Sequence, residues 1–443
     1  MSGPNVVRID PRRRSLALAV APDAPPPGRL TRLARQAVLT RFAALERGRL
    51  VLLEGGTRHA FGDEADPLQA TVAIRHPWAF AALAFGGGAS LADAYADGLW
   101  DADDLVAALR ILLAVAERRP VSGWLGRVGA LSDALRRAVK RAAGVGVPAA
   151  PARSELGSEF LSLFLDDTMS YSCGVFEHPR ATLRDAQVAK LERVCRKLDL
   201  RPGQSLLEIG SGWGALAIHA ARRHGVRVAT LTRSRAQQAH ATARVRAEGL
   251  ADQVEVLYAD YRDVVGTFDR VVSIEMVEAL AGPSDRETYF TAIRERLADD
   301  GLALVQAITV PDAGGSRRER ARREADRVVF PGVRIPSATA LLEAAARASD
   351  LRLFHMEEIG PHYARTLRAW RERLLARWDD ARALGRDERA LRAFLHDLAA
   401  CEAGFEERYL GDVQLLFARP RARREPILAT LPATPGVEQG APR

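Results

Sequence analysis

Cysteine is nearly missing from this chain of 443 residues: three occur, Cys173, Cys195 and Cys401, with no C-x-x-C pair and no recurring Cys/His spacing. A disulfide framework and a structural zinc site are excluded on that ground, so any cysteine with a task acts singly and chemically. Long apolar runs are missing as well. None approaches the roughly 18 to 20 residues of a spanning helix, and MSGPNVVRIDPRRRSLALAV has too short a core for a signal peptide. A cytoplasmic location is the expectation. Internal repeats and low-complexity tracts are also absent, and 47 % apolar with 27 % charged residues excludes disordered and collagen-like chains. The length suffices for two domains with sizeable cores.

There is no acidic excess: 64 Lys and Arg against 56 Asp and Glu leave a net charge of +8. Such a balance suits nucleic acid or an anionic membrane surface, or reflects an arginine-rich composition and nothing more. Arginine is dense over 29–49, where Leu30, Leu33, Val38, Phe42 and Leu45 roughly follow helical spacing, and again in RRERARRE at 317–324. Both segments are candidates to lie on a lipid headgroup plane.

Punctuation divides the chain. Residues 1–28 are irregular and read as a mobile N-terminus; AAGVGVPAAPARSE at 142–155 is small, Pro/Gly-rich and aperiodic, which marks a linker over 143–155. An N-terminal domain is expected over 29–142, a second domain over 156–420, and a mobile tail over 421–443. In the first, RLVLLE and ATVAIR read as strands and 90–117 as helical. In the second, apolar strand candidates at 205–209, 226–232, 253–259, 268–274 and 301–309 alternate with helices. That alternation predicts an α/β fold with a doubly wound, mostly parallel sheet, covered by helices over 336–405.

The richest stretch is SLLEIGSGWG at 205–214, an apolar run that ends in an acid and a G-x-G-x-G turn. Gly210, Gly212 and Gly214 permit a tight strand-to-helix reversal with bare backbone facing a ligand, and Glu208 stands at the strand's end. NAD sites, nucleotide sites and plain tight turns share that fingerprint. A dinucleotide site would want an acid ending the second strand, and none is there. Instead that strand ends in Thr232, Ser234 and Gln237 open the next helix, and Asp260-Tyr261 closes the third strand. Polar strand ends without a second phosphate loop suit adenosine with an amino-acid tail, so S-adenosylmethionine is the expected ligand.

Nine motifs recur in order: YSCG at 171, TL-x-x-AQ-x-AKL, LEIGSGWG, LTRSRAQQ, ADYRD, FDRVVSIEMVEAL, QAIT, FPG and HYARTLRAW. Together they make the span 165–418 resemble the cyclopropane-fatty-acyl-phospholipid synthases and the related mycolic-acid methyltransferases. Residues 70–110 also look like the N-terminal domain of the long synthases, which the short mycolic enzymes lack. The resemblance implies a class I methyltransferase fold with a smaller mixed α/β domain before it. It further implies transfer from S-adenosylmethionine to cis double bonds of phospholipid acyl chains, giving cyclopropane fatty acids. Tyr171 and Ser172 would then touch the methionine tail, with Gly210, Gly212 and Trp213 beneath. Thr232, Ser234 and Gln237 would line ribose and adenine, with Asp260 and Tyr261 at the base.

The same resemblance implies a bicarbonate ion as base, in a cradle that maps onto Cys173, Glu278, the backbone at Ile308, and Tyr363. The cradle histidine falls on Gln306, which donates a hydrogen bond but cannot titrate, and Ala279 replaces another common histidine. A weaker cradle and greater dependence on bicarbonate are expected. Each residue also has a plain reading: Cys173 as a buried thiol, Tyr171, Trp213 and Tyr363 as packing, Ser234 as a helix cap, and Glu275 and Glu278 as solvated loop acids. As partners, the resemblance implies an anionic phospholipid surface at the inner face of the cell membrane and unsaturated acyl chains, and it admits a homodimer. Methyl addition without ring closure, giving branched or methylene-bearing chains, stays open, as does a non-catalytic lipid binder. A nucleic-acid methyltransferase is disfavoured, because neither an RNA-binding module nor an NPPY-type motif is present.

Overall fold

The computed structural model describes residues 29–85, 87–118, 156–280, 282–312 and 335–427. The segment 1–28, the linker over 143–155, the basic run at 317–324, the FPG motif and the tail beyond 427 lie outside them. Residues 421–427 of the expected tail are described, and Ala422 and Ile427 pack against the core of the larger sheet.

The smaller sheet has the order β2-β1-β3-β4, built from β1 (Arg49–Glu54), β2 (Thr57–Gly62), β3 (Gln69–Ile74) and β4 (Trp100–Ala102). Its core gathers Leu50, Leu52, Val72, Phe80, Trp100 and Ile111 with helix residues Ala34, Val38 and Phe42. The strands expected at RLVLLE and ATVAIR are β1 and β3. Two features differ from expectation. β2 is an edge strand of polar sequence, TRHAFG, with too little apolar alternation to be seen. The helix expected across 90–117 is broken by β4: Gly98, at φ 72°, ends Gly87–Ala96, and Trp100 is buried against the sheet before Leu105–Arg118 begins. Only part of the helix-spaced apolar set of 29–49 is turned outward, with Leu33 exposed. Val38 and Phe42 are buried, Leu45 packs on the same core, and Arg35 and Arg49 are paired with Glu54 and Glu64.

The larger sheet has the order β10-β11-β9-β8-β5-β6-β7. Its strands are β5 (Ser205–Ile209), β6 (Arg227–Thr232), β7 (Val254–Tyr258), β8 (Phe268–Ile274), β9 (Leu297–Thr309), β10 (Arg352–Glu358) and β11 (Gly411–Ala418). β5 to β9 pair in parallel, while β11 runs antiparallel to both its neighbours. This is the doubly wound α/β sheet that the alternation predicts. Two corrections apply: β9 starts at Leu297 rather than 301, and the supposedly all-helical stretch 336–405 contains β10. β10 is an edge strand, RLFHMEE, with Arg352 and Glu358 exposed and Glu357 half-buried, and β11 beside it was not anticipated. Strand order reverses at β5, flanked by β8 and β6, which makes the crevice beyond their C-terminal ends the place for a ligand.

Helix Leu183–Lys197 shows how a local signal sets an entry. Thr182 caps it through a reciprocal capping box with Asp185, and Leu183, Leu191 and Val194 face the core as their spacing predicts. The same buried face carries Gln187 and Lys190, which hydrophobic periodicity does not explain.

The two sheets meet across helix Glu388–Glu406. Its Ala399, Ala400 and Ala403 belong to the smaller core, while Leu391, Leu395, Leu398 and Phe405 belong to an aromatic-rich core beside the larger sheet. Buried Arg392 locks the contact: it donates to the carbonyls of Tyr95 at 2.8 Å and Trp100 at 3.3 Å and to the carboxylate of Asp101 at 3.2 Å. Arg47 and Arg110 both reach Glu407, at 2.6 and 2.7 Å. Replacing Arg392 by alanine leaves Asp101 paired with Arg75 among the described residues and removes a donor from the Tyr95 and Trp100 carbonyls, so a loss of about 3 kcal/mol is expected. Urea denaturation of wild type and Arg392→Ala measures it, and a difference within about 0.5 kcal/mol would show that the contact is not a stabilising one.

Candidate functional site

The glycine turn closes β5 with backbone geometry that side chains resist. Gly210, Gly212 and Gly214 have φ values of 101°, 48° and 89°. The amides of Gly210 and Ser211 both donate to the Leu231 carbonyl, at 3.1 and 2.7 Å, which binds the turn to β6. A β-carbon on Gly212 would meet nothing within 4 Å, so the backbone there borders open space at the head of helix Ala215–His224. Bare backbone facing space at a helix N-terminus fits S-adenosylmethionine. Trp213 is 4 % exposed and packs edge-on against His240, while its carbonyl accepts from Arg244 at 2.8 Å. Arg244 also donates to the Thr168 carbonyl at 2.9 Å, joining the turn to the loop that carries Tyr171.

Glu208 is enclosed below the turn instead of facing outward, and the Thr230 hydroxyl of β6 donates to it. At the end of β6, the Thr232 hydroxyl donates to Gln237, and Ser234 caps helix Arg235–Ala247 by accepting from the Gln237 amide. Asp260, past β7, is clasped by Arg262 at 2.7 and 2.9 Å, which holds its carboxyl below the usual range. Tyr261 lies edge-on to Tyr289 at 5.6 Å. Tyr171 stacks on Trp370 at 4.9 Å, and Ser172 is buried, accepting from Lys190 Nζ at 2.9 Å. The sequence-predicted cofactor residues therefore ring the C-terminal ends of β5, β6 and β7, with Tyr171 and Ser172 on a loop beside them.

The residues assigned to the cradle come together at the ends of β8 and β9. Glu275 is their centre. Its Oε1 accepts from the Cys173 amide at 2.8 Å and from Gln306 Nε2 at 2.9 Å, and its Oε2 accepts from the Tyr363 hydroxyl at 2.6 Å. Glu278 accepts from the Ile308 amide at 2.6 Å. Cys173 is fully buried, its thiol directed at the Gly174 and Ile359 carbonyls, and burial followed by the nearby Asp412 pushes it well up. Gln306 gives its second N–H to Asp412 at 2.9 Å and accepts from Gln414 at 3.0 Å. Asp412 is raised well above a carboxylate's ordinary value by burial and by Glu275, Glu278 and Glu358 around it.

Sequence reasoning missed Asp412, Gln414, Lys190, Arg244 and the central role of Glu275. The first two lie on the unanticipated β11, and Lys190 and Arg244 sit on helices where a cation normally signals solvent. For Glu275 a signal existed, an acid immediately after an apolar strand. No metal ligands were expected, yet Cys195, His219 and His224 approach within 4.8 Å of one another. Both imidazoles bond the Glu192 carboxylate, at 3.1 and 3.2 Å, and that shared partner explains their approach.

Burial pushes Glu208 up to about 8, so the native state keeps a proton that the unfolded chain releases near pH 4.5. Stability should then fall as pH rises between these values, and Glu208→Gln should abolish that part of the decline. Thermal melts of both proteins from pH 5 to 9 test this; parallel curves would show Glu208 to be ionised in the fold.

Comparison with known proteins agrees with this geometry. Residues 149–415 match the family model for mycolic acid cyclopropane synthetase. Tuberculostearic acid methyltransferase UfaA1 of Mycobacterium tuberculosis is 34 % identical over 386 residues, 84 % of this chain and 87 % of that protein. Cyclopropane-fatty-acyl-phospholipid synthase of Escherichia coli is 33 % identical over 356 residues, 79 % and 88 % respectively. Among solved structures, cyclopropane synthase MmaA2 of M. tuberculosis superposes with a TM-score of 0.56 at 30 % identity, covering 61 % of this chain and 96 % of its own. Mycolic acid cyclopropane synthase CmaA1, solved with S-adenosylhomocysteine and CTAB, gives the same values. Coclaurine N-methyltransferase, at 24 % identity, shares the fold alone. With a glycine turn facing open space and a carboxyl cluster at the neighbouring strand ends, the chain belongs to the mycolic acid cyclopropane synthetase family and is an S-adenosylmethionine-dependent methyltransferase.

Proposed function

We propose that this protein alkylates the cis double bond of unsaturated acyl chains in membrane phospholipids, forming cyclopropane fatty acids. The observation that carries this reading is the carboxyl cluster of Glu275 and Glu278, set beside an aromatic wall and one strand away from the glycine turn. When bound, S-adenosylmethionine supplies an electrophilic methyl group on a sulfonium. An isolated alkene has no proton to lose before it reacts, so the protein must stabilise a carbocation instead of activating a nucleophile. The carboxylates provide the negative field. Tyr171, half-buried and stacked on Trp370, adds an apolar surface for the chain and a π face for a passing cation. Gly210, Gly212, Thr232 and Asp260 are the residues we assign to the cofactor.

A second reading, methyl addition without ring closure, is favoured by Gln306 at the cradle position and by the similarity to a tuberculostearic acid methyltransferase. Gas chromatography of fatty-acid esters from cells producing the protein separates the two. Cyclopropane esters support the first reading, methyl-branched or methylene esters the second, and unaltered alkenes defeat both.

Peripheral attachment to an anionic membrane is also part of the proposal. Among the described residues no helix is long and apolar enough to cross a membrane. Leu33, on the same helix as Arg29 and Arg32, is 66 % exposed, and Trp78, on a helix packed against it, is 53 % exposed. An exposed apolar side chain, an exposed indole and a basic helix suit the headgroup region.

Two predictions follow from these assignments. Gly212→Val places a branched side chain in a left-handed backbone and in the space facing the turn, so affinity for S-adenosylmethionine should drop at least about tenfold. Calorimetry on the folded variant decides, and unchanged affinity removes the turn from the cofactor site. Binding to anionic vesicles should weaken as salt rises and should fall further in Leu33→Ser with Trp78→Ser. Sedimentation showing equal binding to neutral and anionic vesicles would exclude the electrostatic surface.

A further inference from the structure

We propose that Glu275 is the catalytic base and that its carboxylate, rather than bicarbonate, occupies the anion position of this site. The inference rests on the acyl-alkylation reading for its chemistry, but the occupancy claim stands on geometry alone. Three donors from three elements converge on this one side chain: the Cys173 amide and Gln306 Nε2 on Oε1, and the Tyr363 hydroxyl on Oε2, at 2.8, 2.9 and 2.6 Å. An external oxyanion would need those same donors. The Ile308 amide, also assigned to the cradle, is taken by Glu278 at 2.6 Å. A further anion would therefore find its donors engaged and meet carboxyl groups at 275, 278, 358 and 412 around it. Bicarbonate does not fit.

Backbone conformation points the same way. Glu275 has φ 49°, in the region that glycine adopts freely and a glutamate does not, and its amide is held by the Gln306 carbonyl at 2.9 Å. Strain of this kind persists where the surroundings fix it and clusters at working sites. Gln306 then has a definite task. One N–H goes to Glu275, the other to Asp412, and its oxygen accepts from Gln414, whose own oxygen accepts from Lys197 at 2.7 Å. A primary amide meets two acceptors and one donor here; a histidine ring, with two nitrogens, cannot. The neutral residue that seemed to weaken a bicarbonate cradle orients a built-in carboxylate.

The step balances without a co-reactant. Once a methyl group has joined one alkene carbon, the other carbon is cationic. A Glu275 oxygen takes a proton from the new methyl, and the C–H electron pair closes the three-membered ring. If a hydride shift precedes, the proton comes from a carbon next to the cation and the pair forms a double bond. In either case Glu275 ends as a neutral acid and returns its proton to water.

The test uses the full-length protein with Glu275→Gln and Glu275→Gly. Calorimetric titration with potassium bicarbonate should show no binding to wild type and binding to Glu275→Gly, whose backbone suits the observed φ. Wild-type turnover should be the same in bicarbonate-free buffer and with bicarbonate added. Glu275→Gln should lose at least about a hundredfold in kcat while its affinity for S-adenosylmethionine stays within about threefold. Glu275→Gly should be inactive alone and regain activity with bicarbonate or formate. Bicarbonate binding to wild type, a bicarbonate requirement in wild type, or a Glu275→Gln variant with near-normal kcat overturns the proposal. A wild type that alkylates no acyl chain defeats the lipid reading instead, and the titration still decides what occupies the anion position.

Discussion

A carboxyl group taken out of water must either receive hydrogen bonds or give up its charge, and the ends of β8 to β11 confront that requirement repeatedly. Glu275 receives three donors and Glu278 the Ile308 amide, while Glu358 at the exposed rim accepts from the amides of Gly360 at 2.8 Å and Asp412 at 3.1 Å. For Asp412, buried among these acids, the conflict shows as a carboxyl pushed well above its ordinary range. Most of these donors are backbone amides at the edges of elements, so supplying them fixes where the 171–174 loop, β9, β11 and helix Gly360–Ala376 begin or end. The electrostatics of the site and the local path of the chain are one problem with one solution. Lys190, only 2 % exposed, adds the compensating positive charge; burial lowers its pKa while Glu275 foremost, with Asp166 and Asp412, raises it.

Behind the cluster a line of polar side chains crosses the sheet. Gln306 of β9 passes to Gln414 of β11, then to Lys197, which reaches Glu357 of β10 at 2.6 Å. Each amide both donates and accepts, so a flip breaks three bonds at Gln306 and two at Gln414. The edge strand β10, mostly solvent-facing, is thereby connected to the base of the site. That connection gives a polar sheet interior a purpose that packing alone would not.

Much of this was legible in the chain. Glycine sterics at 210, 212 and 214 are local, apolar strands alternating with helices declare a parallel sheet, and a capping box announces Thr182. These signals need no partner from elsewhere. What escaped detection is non-local or conceals its burial: β2 and β10 are polar edge strands, β4 is three residues long, and β11 follows a helix with no strong break. Asp412 and Gln414 gain meaning only when β11 is laid against β9 in register, with Gln414 opposite Gln306. Lys190 and Arg244 look like solvated helix cations until the loops they serve fold over them. At 29–49 the helical spacing was sound, but it did not reveal whether core or lipid receives the apolar face.

Helix Glu388–Glu406 has almost no free side. One flank is closed by the smaller sheet at Ala399, Ala400 and Ala403, and the other supports Phe405, on which Tyr363 stacks at 4.6 Å. Modularity in this chain is consequently one-sided. Removing the smaller sheet would bare a flat alanine strip, unpair Arg392 and leave Glu407 without Arg47 and Arg110. The larger sheet would then carry a sticky surface directly behind Tyr363, so the catalytic half is shaped as the inner layer of a larger body and not as a free-standing enzyme.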